Sequence, residues 1–126
     1  MIIYPADDGI GLIGIWKAFQ EIKEMGWIEG PLPKMVAVQS ANCQPVIKAN
    51  DELHGVSNDY QETKSSIAYG LAVPHSFGYD LMMKVIKESE GTAIAVSEED
   101  LIDRVLELAK NEGILLSPKE LQLGRQ

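Results

Sequence analysis

The sequence predicts an α/β domain of three layers, with a mainly parallel sheet of about four strands flanked by helices. Short apolar runs with strand character alternate along the chain with stretches whose apolar residues recur every three or four positions. One of these runs, residues 35–39, is nearly continuous in apolar character, as a strand buried on both faces of a parallel sheet must be. At 126 residues the chain fits a single domain over 1–126 and is long enough to bury its own core.

The first strand is the apolar run at Ile2, Ile3 and Tyr4, which meets a turn rich in Asp and Gly and then a helix. A strand, a glycine turn and a helix N-terminus make an anion cradle, because backbone N–H groups point outward there and the helix dipole favours negative charge. Over residues 11–25, Leu12, Ile15, Trp16, Phe19, Ile22 and Met25 form the stripe of an amphipathic helix that Gly26 closes. A turn over residues 30–33 leads into the strand at 35–39, and the order strand, helix, strand predicts a right-handed crossover. Pro45 suits the first position of a short helix reaching about Asn50. Residues 51–66 are polar and read as a connecting segment, and residues 67–73 are mildly apolar up to Pro74. Over residues 79–90, Leu81, Met82, Val85 and Ile86 share a helix face, with Gly91 as the stop. Residues 92–96 form the clearest strand. Ser97, followed by Glu98, Glu99 and Asp100, is a capped and dipole-matched helix start. The helix it opens carries Leu101, Ile102, Val105, Leu106, Leu108 and Ala109 inward and stops at Gly113. Residues 114–116 are the expected last strand, and residues 119–126 form a polar tail expected to be disordered.

A net charge of −8 argues against nucleic acid and anionic membrane as partners, since both demand a basic patch. The N-terminus carries no signal-peptide pattern and no apolar run approaches a membrane span, so a cytoplasmic location is expected. Cys43 is the single cysteine, which excludes an internal disulfide and a cysteine-rich zinc site.

The turn itself carries Asp7 and Asp8. Like charges roughly 4 Å apart repel by about 4 kcal/mol at an effective dielectric near 20, enough to offset the attraction of the cradle for a phosphate. Paired carboxylates suit a divalent cation, but the simpler expectation is that they cap the helix and complement its dipole. Cys43 with His54 or His75 could form a nucleophile and base, although no nucleophile-elbow pattern is present and a buried structural cysteine is the commoner arrangement. The two histidines are too far apart in sequence for a helical or hairpin metal pair, so no metal site is assigned. Ser117 follows a predicted strand end, where parallel α/β sheets place their ligands.

Four stretches together resemble threonine synthase, a pyridoxal-phosphate (PLP) enzyme of the tryptophan-synthase-β fold type. They are Gly11-Leu12-Ile13-Gly14-Ile15-Trp16-Lys17-Ala18-Phe19, residues 35–39, Ser66-Ile67-Ala68-Tyr69-Gly70-Leu71 and residues 88–97. The resemblance runs nearly to Pro118 and covers only the C-terminal portion of a family member roughly three times longer. It implies the fold of the C-terminal PLP-binding domain of fold-type-II enzymes. It also implies PLP as cofactor, a phosphate loop at Gly9 and Gly11, Ser117 as a further cofactor-binding position, and a family threonine hydrogen-bonded to the pyridine nitrogen. The activity it implies is a lyase step of threonine biosynthesis, phosphate elimination and replacement on O-phosphohomoserine.

Three departures bear on that chemistry. The Schiff-base lysine belongs to the portion of the family that this chain does not resemble. The family loop Pro-Thr-Gly-Gly-Gly-Thr-Gly reads here Pro5-Ala6-Asp7-Asp8-Gly9-Ile10-Gly11, which loses two hydroxyl donors and gains two carboxylates. The family continues Ser-Pro-Glu-Gly-Ala-Ala-Thr, whereas Ser117-Pro118 is followed by Lys119, Glu120, Leu121, Gln122 and Leu123, and Leu123 cannot supply the threonine hydroxyl. Written as GAA-GGA-GCU-GCA-ACU and read from its second base, the family segment encodes this tail. On that hypothesis the chain is a frameshifted remnant of a threonine synthase gene; neighbouring DNA that does not continue the family sequence in the shifted frame would end the idea.

The expectation is a threonine synthase-like domain that is catalytically inactive alone and does not bind PLP by itself. It would self-associate through exposed apolar surface or assemble with a homologous threonine synthase chain. The alternatives are a PLP-binding subunit completed by another chain and, more weakly, a small cation- or anion-binding module.

Overall fold

In the computed structural model, which describes residues 1–55 and 64–115, strand β1 (Ile2–Pro5) passes through a turn into helix α1 (Ile10–Glu24), and the chain returns as β2 (Met35–Ser40). Helix α2 (Pro45–Leu53) follows, then a single 3₁₀ turn (Tyr69–Leu71), α3 (Tyr79–Glu88), β3 (Thr92–Val96) and α4 (Glu98–Asn111). The sheet has the order β1-β2-β3 with every pairing parallel; Ile2 is opposite Met35, and Val36 is opposite Thr92. All six residues of the central strand β2 are buried, as its nearly continuous apolar run predicts.

Strand alternation sends Ile2, Tyr4, Met35, Ala37 and Ala93 to one face, where they pack with Leu12 and Trp16 of α1, Val46 and Ile47 of α2, and Met82, Val85 and Ile86 of α3. Ile3, Val36, Val38 and Val96 point to the other face, against Leu101, Val105 and Leu108 of α4 and against Ala68 and Leu71. These are the three layers. No helix among the described residues is long and apolar enough to cross a membrane.

Several expectations are corrected. The described sheet has three strands rather than about four. Ile114 and Leu115 lie outside any strand, 49% and 81% exposed, and Leu116 is beyond the described residues. So short an apolar run takes strand geometry only when a sheet edge pairs with it, and no described strand does. Helix α2 continues to Leu53, past the expected end near Asn50, with Pro45 in its first turn. Helix α4 begins as expected, with Ser97 Oγ accepting from Asp100 N–H at 3.1 Å. It faces the sheet with Leu101, Val105 and Leu108, whereas Ile102 and Leu106 remain about half exposed on a flank that no described element covers. Leu81 and Met25 are likewise exposed.

The end of α3 lies three residues before the expected stop. Glu90 rather than Gly91 takes the left-handed backbone, with φ +50°. Gly91 is required for another reason: a Cβ there would lie 1.8 Å from the Met35 carbonyl oxygen. Ser89 fixes the same junction, its Oγ accepting from Met35 N–H at 3.1 Å and donating to the Ile86 carbonyl at 3.3 Å.

Candidate functional site

The candidate loop leaves the C-terminal end of β1, the end at which open parallel sheets bind ligands. Ala6 is fully buried and its N–H donates to the Val38 carbonyl at 2.8 Å. The buried Gln39 ties this point to α2, since its Nε2 donates to the Ala6 carbonyl at 3.3 Å and its Oε1 accepts from Val46 N–H at 3.0 Å. Ser76 holds the loop from the other side. Its Oγ donates to the Asp8 carbonyl at 2.9 Å and accepts from Gly78 N–H at 3.1 Å.

Gly9 is the N-cap of α1, in left-handed geometry at φ +81°, without a side-chain cap. The expected capping by Asp7 and Asp8 is therefore corrected. Both lie before the cap, half-buried, and the first turn of α1 carries no acidic residue. The left-handed turn requires a residue without Cβ at the cap, which a carboxylate side chain cannot supply at low cost.

Gly9 closes the turn and Gly11 lies in the first turn of α1, and each stands close against a side chain of the fold. A Cβ on Gly9 would lie 2.4 Å from Met82, and one on Gly11 would lie 2.0 Å from the Tyr4 hydroxyl oxygen. Tyr4, Met82, Ser76 and Gln39 thus build the loop from outside it, and sequence reasoning missed all four. The polar end of the apolar 35–39 run was the one visible signal, since a Gln in a doubly buried strand demands partners. Ser117, the third predicted site residue, and the tail 119–126 lie outside the described residues.

The remaining candidates are not brought together. Cys43 is buried in the turn after β2, its N–H donating to the Ser40 carbonyl at 2.9 Å. The ring of His54 is at the far end of α2, about 13 Å along a nine-residue helix, with Nδ1 2.7 Å from the Asn50 carbonyl oxygen. His75 is exposed beside Ser76, on a cavity of about 480 Å³ between α2 and the start of α3. Tyr79 on the same cavity has its phenol pKa raised by burial, with Glu52 and Asp80 adding negative charge nearby. Among the described residues no group of three His, Cys, Asp or Glu side chains could hold a metal. Trp16, expected in the core, is there, and its indole N–H donates to Glu88 at 3.0 Å.

An all-parallel sheet whose first strand runs through a glycine turn into a helix N-terminus is an arrangement at which phosphate groups are commonly held. The sequence profile of the pyridoxal-phosphate dependent enzymes matches residues 1–120, and the chain belongs to that family. Threonine synthase of Methanosarcina acetivorans is 28% identical over 117 residues, and that of Methanocaldococcus jannaschii 27%. Each match covers 93% of this chain and 28% of the relative. The threonine synthase of Mycobacterium tuberculosis is 21% identical over 90% of the chain. The chain thus spans under a third of the length of these relatives. Among solved structures, the threonine deaminase of T.th. superposes with a TM-score of 0.64 at 13% identity, covering 95% of this chain and 40% of that one. At that identity the likeness establishes the fold, a fold-type-II α/β layer.

The family's cofactor tests the loop. A phosphate group there would need donors and positive potential. The loop offers backbone N–H groups but no side-chain hydroxyl, and it places two half-buried carboxylates, Asp7 and Asp8, directly before the helix. The Tyr4 hydroxyl and the Met82 side chain fill the space beside its glycines. The two carboxylates would oppose the charge of a phosphate at this turn.

Proposed function

We propose that the chain is a non-catalytic domain on a threonine synthase-like scaffold, acting in the cytoplasm by association rather than by chemistry of its own. It would form homo-oligomers or join a homologous threonine synthase chain. The observation that carries this reading is the loop at residues 6–11, where carboxylates stand at the turn and the chain's own Tyr4 and Met82 occupy the room beside the glycines. The association half is supported by Ile94 on the second face of the sheet and by Ile102 and Leu106 on the uncovered flank of α4, which are 37%, 46% and 50% exposed.

Titration with pyridoxal phosphate, with and without cell extract, tests the reading. No internal-aldimine absorbance is expected. An aldimine band that borohydride fixes to this chain would overturn it and establish the second reading, a PLP-binding subunit completed by a chain that carries the lysine. That alternative draws on the left-handed Gly9 at the α1 N-terminus, which keeps backbone N–H groups directed at the loop. For the association half, sedimentation should show an oligomer that the pair Ile102→Lys and Leu106→Lys dissociates; a monomeric parent chain refutes it.

A further inference from the structure

Helix α2 buries one stripe of side chains, Val46, Ile47 and Asn50. The first two are apolar, as the stripe requires, and the third is not. Asn50 is only 6% exposed. Its backbone carbonyl accepts from His54 N–H and from the His54 ring, but its carboxamide has no hydrogen-bond partner among the described residues. A buried amide left unpaired is costly, and native folds rarely retain one without a use for it.

Asn50 borders a cavity of about 280 Å³ between the C-terminal ends of α2 and α3. Leu53, Met83 and Ile86 give it apolar walls, and His54, Lys87 and Glu90 stand among its polar groups. The Asn50 carbonyl oxygen 2.7 Å from His54 Nδ1 can only accept, so Nδ1 carries the proton and Nε2 of the neutral ring is an acceptor. Helix α2 has no basic residue in its last turn and carries Asp51 and Glu52 there, so the negative end of its dipole has no cationic complement of its own. Glu90 adds a carboxylate, which Lys34 approaches at 3.6 Å on the exposed side. Lys87 supplies opposing charge at the wall and is itself exposed.

We infer that this cavity binds a small aliphatic amine. Its hydrocarbon body lies against Leu53, Met83 and Ile86, and its ammonium head donates to the Asn50 carboxamide oxygen and to His54 Nε2. The site is separate from the loop at residues 6–11, so the inference stands whether or not that loop holds a cofactor.

Isoamylamine, isoamyl alcohol and isovalerate share one hydrocarbon body and differ in the head group, which makes them the probes. In nitrogen-15 NMR titrations of the full chain, isoamylamine should shift the Asn50 side-chain amide peaks and the backbone peaks of Met83 and Glu90 saturably. The alcohol should bind about tenfold or more weakly, as loss of a charge-assisted hydrogen bond implies, and isovalerate more weakly still. Equal response to all three, preference for isovalerate, or no response to the amine overturns the proposal; in the last case a water molecule satisfies Asn50. Asn50→Leu keeps the side-chain size and should reduce amine affinity to that of the alcohol, so unchanged affinity in this variant also overturns it. Should Asn50→Leu fail to fold, Lys87→Glu at the exposed wall should bind isoamylamine several-fold more tightly, and equal or weaker binding counts against the site.

Discussion

Helices α1 and α3 close with the same two hydrogen bonds and with different residues. In α1, Gly26 N–H donates to the Lys23 carbonyl at 3.0 Å and Trp27 N–H to that of Ile22 at 3.1 Å; in α3, Glu90 N–H donates to Lys87 at 3.3 Å and Gly91 N–H to Ile86 at 2.9 Å. Both are Schellman ends, which need a left-handed residue just after the cap. Gly26 fills that position in α1 at φ +72°, with open space where a Cβ would be. In α3 the position is held by Glu90, and the glycine falls one residue later, against the Met35 carbonyl. The first glycine serves backbone conformation and the second serves close approach. Where the two demands fall on adjacent residues, the contact with β2 takes the glycine and a charged residue bears the strain.

The largest effect should come from Gly91→Ala. The added Cβ would meet backbone rather than a yielding side chain, and a loss of about 3 kcal/mol or more is expected in denaturant unfolding. A loss below about 1 kcal/mol would mean that β2 and β3 shift freely and that close approach does not fix this glycine. Gly11→Ala extends the contrast to the candidate loop. It should cost about 2 kcal/mol, and in a Tyr4→Ala background most of that cost should vanish, because the Tyr4 hydroxyl is the atom the new Cβ meets. Additive losses in that double-mutant cycle would show that Gly11 serves something other than Tyr4. The paired substitutions at the helix ends should have opposite signs: Gly26→Ala destabilising by about 1 kcal/mol, and Glu90→Gly stabilising by about as much once left-handed strain is relieved. Loss of the exposed Lys34–Glu90 pair should be negligible beside this. The smallest effect concerns Tyr79. Its pKa is raised above the ordinary tyrosine value of 10.0 in the folded chain, so the phenol contributes stability below that pH and loses it as pH rises through the higher folded value. Tyr79→Phe should flatten that alkaline decline, with unfolding midpoints measured at several alkaline pH values as the check.

Much of the fold was legible because it follows from local pattern. The stripe Leu12, Trp16 identifies α1, Ser97 and the acids after it mark the start of α4, and the apolar 35–39 run gives the central strand. What failed was the assignment of reach. Ile102 and Leu106 share the hydrophobic pattern of Leu101 and Val105, yet periodicity records only that a side chain is apolar, and no described element covers that flank. The site was half legible. Gly9 and Gly11 announced a turn at a helix start, but Tyr4, on the strand before the turn, and Met82, on another helix, were invisible as its neighbours because their contacts are made across the fold.

The sequence by itself determined the order of strands and helices, the parallel sheet that such an order demands, and the family to which the chain belongs, since these rest on spacing and on short runs of residues. The tertiary structure decided which positive-φ position tolerates a glutamate, which glycines lie against Tyr4 and Met82, and that Asn50 is buried beside a cavity with its amide unpaired among the described residues. Those outcomes depend on distances between residues remote in the chain, and a Cβ either collides with a neighbouring atom or does not only once both elements are packed.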